Sequence, residues 1–192
     1  MARKRGVSNR SGVRLSGGEH GGRVLPVPPG VRPTEGRVRE ALFSIWGDRL
    51  RGARLLDLFA GSGAVALEAV GRGAHGALAV ERAHRSLEVL EANVERLGEA
   101  GVVTVRKGDL PAALATLAEA AERYDLAFAD PPYDYRDYPG LIAAVAPLLA
   151  EDGELVVEHS MRRDLPLEVG ALVRADERRY GETALSFYRA LR

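Results

Sequence analysis

From residue 54 onward, short apolar runs alternate with stretches whose apolar residues recur every three or four positions. Arg54-Leu55-Leu56-Asp57-Leu58-Phe59 predicts a strand, because a short, nearly continuous aliphatic run suits a strand covered on both faces. Gly61-Ser62-Gly63 predicts a turn, with a helix following to about Arg72. Residues 77–81 predict a second strand, and Leu87, Leu90, Val94 and Leu97 stripe a helix that Gly98 can end. Residues 102–105 predict a third strand, and Leu110, Ala113, Leu114, Leu117, Ala118 and Ala121 the next helix. Residues 125–129 predict a fourth strand, which runs into Asp130-Pro131-Pro132-Tyr133. A helix over about 138–149 precedes Gly153 and a strand over 154–158. Such alternation means β-α-β units, and right-handed crossovers make the sheet doubly wound and parallel. The end of the chain differs. Residues 172–180 and 183–191 read as two strands joined at Gly181, and strands joined that tightly are antiparallel.

The first 33 residues are rich in Gly, Ser, Pro and Arg. Val13-Arg14-Leu15 and Arg23-Val24-Leu25-Pro26-Val27 predict a small hairpin behind a basic tip, kept short by Pro26, Pro28 and Pro29. Thr34 is the expected N-cap of a helix over about 35–47. Its apolar stripe is Val38, Ala41, Leu42, Ile45 and Trp46, with Arg37, Arg39 and Glu40 off the stripe and Gly47 as the stop. The expected division is therefore a tail and hairpin over 1–33 and an α/β domain over 34–192, with no internal repeat and no linker.

Length and composition narrow the possibilities. The 192 residues fit one domain, and 46% hydrophobic residues suffice for a core. Zero cysteines exclude disulfides, thiolate metal sites and a cysteine nucleophile. No apolar run approaches the roughly 20 residues of a membrane helix, and the basic start is not followed by an apolar segment, so a cytoplasmic protein without a signal peptide is expected. The net charge of +0 hides an asymmetry: residues 1–40 carry nine Lys/Arg against three Glu. A basic leader on an acidic body suits an anionic partner, nucleic acid first, although a solvated tail has the same composition.

Three places carry chemistry. The glycines after the first strand let a ligand approach the backbone, and Glu81, at the end of the next strand, can accept from ribose hydroxyls. Read literally, Gly61-x-Gly63-x-x-Ala66 also fits a dinucleotide fingerprint. Asp57 favours a ligand bearing a cationic amine, such as S-adenosylmethionine, over a pyrophosphate. Asp109 can accept from an adenine amine or cap the helix at 110–121. Asp130-Pro131-Pro132-Tyr133 follows the fourth strand, across the switch point where doubly wound sheets bind ligands. A base amine is a poor nucleophile because its lone pair is delocalised into the ring. An Asp carboxylate and the Pro131 carbonyl can both accept from the amine and aim its lone pair at a methyl donor. Tyr133 offers a stacking face for a base taken out of its helix. His20, His75, His84 and His159 lack metal-ligand spacing and are expected on the surface or in turns, so no metal is expected.

Asp57-Leu58-Phe59-Ala60-Gly61-Ser62-Gly63 together with Asp130-Pro131-Pro132-Tyr133 resembles the class I S-adenosylmethionine-dependent amino-methyltransferases. The run Gly22–Pro28, then Arg32-Pro33-Thr34 and residues 37–45, is similar to the bacterial family that methylates the N2 amine of a guanine in 16S ribosomal RNA. The likeness extends from about Val13 to about Tyr188. It implies a mostly parallel seven-stranded sheet with an antiparallel C-terminal strand and a small N-terminal hairpin. It implies S-adenosylmethionine as cofactor, held by Asp57, Phe59, Ala60, Gly61, Gly63, Glu81, Arg82, Asp109 and Leu110. It further implies Asp130, Pro131, Pro132 and Tyr133 on the target guanine. Arg3, Lys4, Arg5, Arg10, Arg23, Arg32, Thr34 and Arg37, with Tyr133, would contact the RNA. The implied partner is 16S rRNA, the 30S subunit or an assembly intermediate, met by a monomer. Three other readings stay open: a methyltransferase for DNA adenine or protein glutamine, a nicotinamide-dependent oxidoreductase, and a non-catalytic RNA-binding assembly factor.

Overall fold

A computed structural model of the chain describes residues 12–28 and 36–191. Strands β1 (Gly12–Arg14) and β2 (Val24–Pro26) pair antiparallel as the expected hairpin. Helix α1 (Gly36–Trp46) follows and runs into a 3-10 turn. The alternating part comprises β3 (Arg54–Leu58), α2 (Ala64–Gly71), β4 (Gly76–Glu81), α3 (His84–Leu97), β5 (Val103–Lys107), α4 (Ala113–Glu119), β6 (Tyr124–Ala129) and α5 (Tyr138–Val145). Strand β7 (Leu149–Ser160), β8 (Glu168–Val169), β9 (Leu172–Tyr180) and β10 (Thr183–Ala190) complete the chain.

The large sheet has the order β5-β4-β3-β6-β7-β10-β9-β8. Pairs β3–β4, β3–β6, β4–β5 and β6–β7 are parallel, whereas β7–β10, β10–β9 and β9–β8 are antiparallel. Winding reverses between β3 and β6, so a crevice opens beyond their carboxyl ends. Two apolar layers sandwich the sheet. Residues of α1, α2, α3 and the hairpin fill one, and residues of α4 and α5 fill the other. Val13, Leu15 and Leu25 of the hairpin are buried in the first layer beside Val38 and Leu42.

Four details depart from expectation. The large sheet has eight strands, not seven, because the two-residue β8 adds an edge too short to leave a periodic signal. Strand β7 begins at Leu149 and passes through Gly153, where a side chain would press against the Ala150 carbonyl oxygen, so the glycine marks a tight bend inside the strand, not its start. The buried face of α1 is Val38, Arg39, Leu42, Phe43 and Trp46, so Ile45 points to solvent and Arg39 does not. His20 and His159 are buried, unlike the exposed His75 and His84, because Glu99 receives the one and Ser186 the other. The Thr34 cap lies outside the described residues.

Candidate active site

The crevice at the switch point is a cleft of about 870 Å³. Its floor is set by β3. Asp57 is 2% exposed, and its carboxyl accepts from the Ala66 N–H in the first turn of α2 (3.1 Å). Burial pushes the Asp57 carboxyl up to about 8; the Ala66 bond opposes this, and the charges of Asp130 and Glu81 reinforce it. Phe59 follows with φ of 60°, a left-handed conformation that a bulky residue adopts at a cost of about 1–3 kcal/mol. Its ring meets Tyr135 edge-on (centroids 5.5 Å apart), Tyr135 meets Tyr138 (5.4 Å), and Tyr138 meets His159 (6.4 Å). An aromatic wall thus crosses from β3 to β7.

The glycine turn is held from the side. Glu81 accepts from the N–H groups of Gly61 (3.0 Å), Arg82 (2.7 Å) and Ala83 (2.8 Å), which fixes its carboxylate at the rim. Arg82 and Asp109 face each other at 3.5 Å, both largely in solvent. Asp109 caps nothing with its side chain: α4 begins after Ala112, without a side-chain cap. Ala60, Gly61, Leu110 and Asp109 all line the cleft. Gly63 does not. It stands behind the wall as the first residue before α2, where a Cβ would collide with a Leu90 methyl, so its glycine serves helix packing.

Opposite, the Asp130 N–H reaches the Leu58 carbonyl (3.4 Å), which ties the loop after β6 to the end of β3. Pro131 is buried, and the Tyr135 N–H closes the turn on the Pro132 carbonyl (2.8 Å). Tyr133 is 79% exposed at the mouth, its ring open to a flat ligand. The structure therefore gathers Asp57, Phe59, Ala60, Gly61, Glu81, Arg82, Asp109, Leu110 and Asp130 to Tyr133 around one space. Arg23 and Arg37 are exposed and off the cleft wall. Arg3, Lys4, Arg5, Arg10, Arg32 and Thr34 lie outside the described residues.

The cleft has further walls that sequence reasoning passed over. Tyr135 and Tyr138 belong to the tyrosine-rich stretch after the Pro-Pro loop, a signal that was present in the sequence. Glu158 and His159 come from the end of β7. The His159 Nε2 pairs with the Ser186 hydroxyl (2.8 Å), and burial lowers the imidazole's affinity for a proton. Arg162 and Arg163 follow on the rim; the Arg163 guanidinium donates to the Tyr133 carbonyl (3.5 Å) and lies 5.8 Å from the Tyr138 ring centre. The arginine pair directly after a strand end was the legible sign of this edge.

The architecture is the class I S-adenosylmethionine-dependent methyltransferase fold, as the resemblance implied. The structure of a hypothetical protein of Thermus thermophilus superposes with a TM-score of 0.80 at 36% identity, covering 91% of this chain and 98% of that one. A conserved hypothetical protein of Streptococcus pyogenes gives 0.71 at 34% identity, covering 78% and 93%. In sequence, the chain is 39% identical over 157 residues to the "Ribosomal RNA small subunit methyltransferase D" of Escherichia coli K12, covering 78% of this chain and 74% of that protein. The profile of one family spans residues 13–189, both walls of the cleft included, and the chain belongs to that family, described as Conserved hypothetical protein 95.

Proposed function

We propose that the protein transfers a methyl group from S-adenosylmethionine to the exocyclic N2 amine of a guanine in 16S ribosomal RNA. The observation that carries this reading is the meeting of two loops: Asp130 is tied to the end of β3 and faces the Gly61 turn across one cleft. The name of the Escherichia coli relative supports ribosomal RNA of the small subunit as substrate. The donor set fits the cofactor. A buried carboxyl raised to about 8 gains most from a neighbouring cation, which the amino group of the cofactor's methionine part supplies. Glu81 suits the ribose hydroxyls, and Asp109 and Leu110 the adenine.

When bound, the cofactor supplies an electrophilic methyl carbon on a sulfonium. The residues of this chain do the rest. Asp130 and the Pro131 carbonyl accept from the two N–H bonds of the amine, which localises the nitrogen lone pair towards the methyl carbon. The amine that takes up the methyl group must give up one proton, and Asp130, which would already accept from it, would be the group to receive that proton. Tyr133 stacks on the extruded base. Positioning of this kind is worth up to about 7–11 kcal/mol of a barrier.

The test is methylation of 16S rRNA and of 30S particles lacking the modification, with the methylated base mapped by mass spectrometry. A single N2-methylguanine is expected. The Asp130→Ala variant is expected to lose at least about a hundredfold in kcat while its cofactor affinity, read by calorimetry, stays close to wild type. Methylation of adenine, of protein, or of nothing would overturn the reading, as would a fully active variant.

A further inference from the structure

We propose that Glu158 is the residue that makes the cleft specific for guanine, by accepting the N1–H that lies beside the reacting amine. The inference rests on the function proposed above and names how that site chooses its base.

Glu158 stands at the carboxyl end of β7, the strand next to β6. In the parallel ladder Ala129 pairs with Val157, so Glu158 is the next position on β7 and Asp130 is the first residue of the loop that leaves β6 beside it. Adjacent strands lie about 4.8 Å apart, and paired positions in parallel strands point to the same face. Both residues line the cleft, and Glu158 is only 8% exposed. Two carboxyl residues, one in the loop after β6 and one at the end of β7, thus line the same cleft. As a carboxylate, Glu158 gains from a donor, whereas a lone pair facing it is repelled and gains no hydrogen bond.

The chemistry of the possible substrates then decides. In guanine the N2 amine is flanked by N1–H, a donor, on one side and by the N3 lone pair on the other, so an amine held by Asp130 with its N1 edge towards β7 points a donor at Glu158. In adenine the N6 amine is flanked by the N1 lone pair, and in cytosine the N4 amine is flanked by the N3 lone pair. In a glutamine side chain the amide nitrogen is flanked by a carbonyl oxygen. Each of these turns an acceptor towards the Glu158 carboxylate. The same loop chemistry after β6 serves every planar amine, so discrimination must come from a neighbouring group, and Glu158 is placed to supply it.

The experiment uses 30S particles reconstituted from 16S rRNA that carries either guanine or 2,6-diaminopurine at the mapped target position. Diaminopurine keeps the N2 amine but has a lone pair at N1. The wild-type protein is expected to favour guanine by about a hundredfold or more in kcat/KM, the order expected when a site built around a hydrogen bond meets an analogue that cannot make it. Glu158→Gln can turn its amide to donate to N1, so the preference is expected to shrink at least tenfold, with cofactor affinity within about twofold of wild type. A residue that merely supported the fold would lower both rates together and leave the ratio unchanged. That result would overturn the proposal, and so would a wild-type enzyme indifferent to the two bases, a comparison that needs no variant. If guanine is methylated and only the ratio fails, the role of Glu158 falls and the proposed function stands. If no guanine in either particle is methylated, both fall.

Discussion

At the scale of single residues, Asp57 shows how position and state differ in what a sequence reveals. A carboxyl between a strand and a glycine turn was visible in the order of residues. Its protonation was not, because burial, Asp130 and Glu81 act on it from separate elements. The unfolded side chain ionises near 3.8 and the folded one near 8. Between those values folding takes up a proton, so Asp57's contribution to stability is fully present below about 3.8 and is lost as pH rises towards 8. The slope reaches about 1.4 kcal/mol per pH unit. Asp57→Asn is expected to remove this slope, measured by urea unfolding between pH 5 and pH 8; an unchanged slope would refute a buried, protonated Asp57. In the wild type, a cationic ligand must displace the proton, so S-adenosylmethionine binding at pH 7 is expected to release protons into the buffer. The variant should release far fewer, as read from the dependence of calorimetric heats on buffer ionisation.

Among the elements, the parallel strands were legible because burial on both faces leaves aliphatic runs, and α3 because its stripe and Gly98 stop agree. The buried face of helix α1 lies about one position from the stripe its spacing predicts. Its sequence offers two adjoining apolar stripes, and the choice between them is made by a partner 29 residues away. The Arg39 Nε donates to Glu68 of α2 at 3.0 Å, both side chains being at most 1% exposed. Arg72 adds a second ion pair (2.7 Å), the Ser16 hydroxyl a hydrogen bond, and another Arg39 nitrogen reaches the Arg14 carbonyl. Burial pushes the Glu68 carboxyl up, but the bonds from Ser16, Arg72 and Arg39 outweigh this and hold it below the ordinary range. This network fastens the hairpin and α1 onto α2. Removing one partner of a buried pair strands the other charge, which costs about 3–5 kcal/mol. Glu68→Ala is therefore expected to lower the unfolding free energy by about that amount, with the urea m-value unchanged, and to expose 12–28 to early hydrogen exchange. A loss below about 1 kcal/mol would mean that the network is ornamental.

Across the whole molecule, the doubly wound topology followed from alternation and handedness, but the strand order that brings β3, β6 and β7 together is a long-range fact. That is why Asp57 and Asp130 could be nominated from their motifs, whereas Glu158, His159 and Arg163, which belong to no motif, became visible only once β7 lay beside β6. Charge is segregated on the same scale. Nine of the 27 basic residues fall within residues 1–40, with Arg3, Lys4, Arg5 and Arg10 at the start of the chain, while the cleft is lined by the acids Asp57, Glu81, Asp109, Asp130, Glu158 and Glu182, with Arg39, Arg82, Arg162 and Arg163 also on its wall. The acids suit a cationic cofactor and a donor-rich base but repel a phosphate backbone, so the attraction for RNA is expected from the leader, with Arg162 and Arg163 at the cleft rim as the alternative. Each phosphate neutralised on single-stranded RNA contributes about 0.7 to the slope of log affinity against log salt. Deleting residues 1–11, which leaves β1 whole, is then expected to reduce the magnitude of that slope by up to about 3 and to weaken binding at low salt far more than at high salt. Cofactor affinity should not change, because the residues proposed to hold the cofactor all lie at or beyond Asp57. Filter binding of 16S rRNA across a series of potassium chloride concentrations measures the slope and the low-salt affinity together. If the shortened protein keeps the full slope, the leader is a solvated tail, and the phosphates must be met by arginines of the folded domain, with Arg162 and Arg163 at the cleft rim the first to replace.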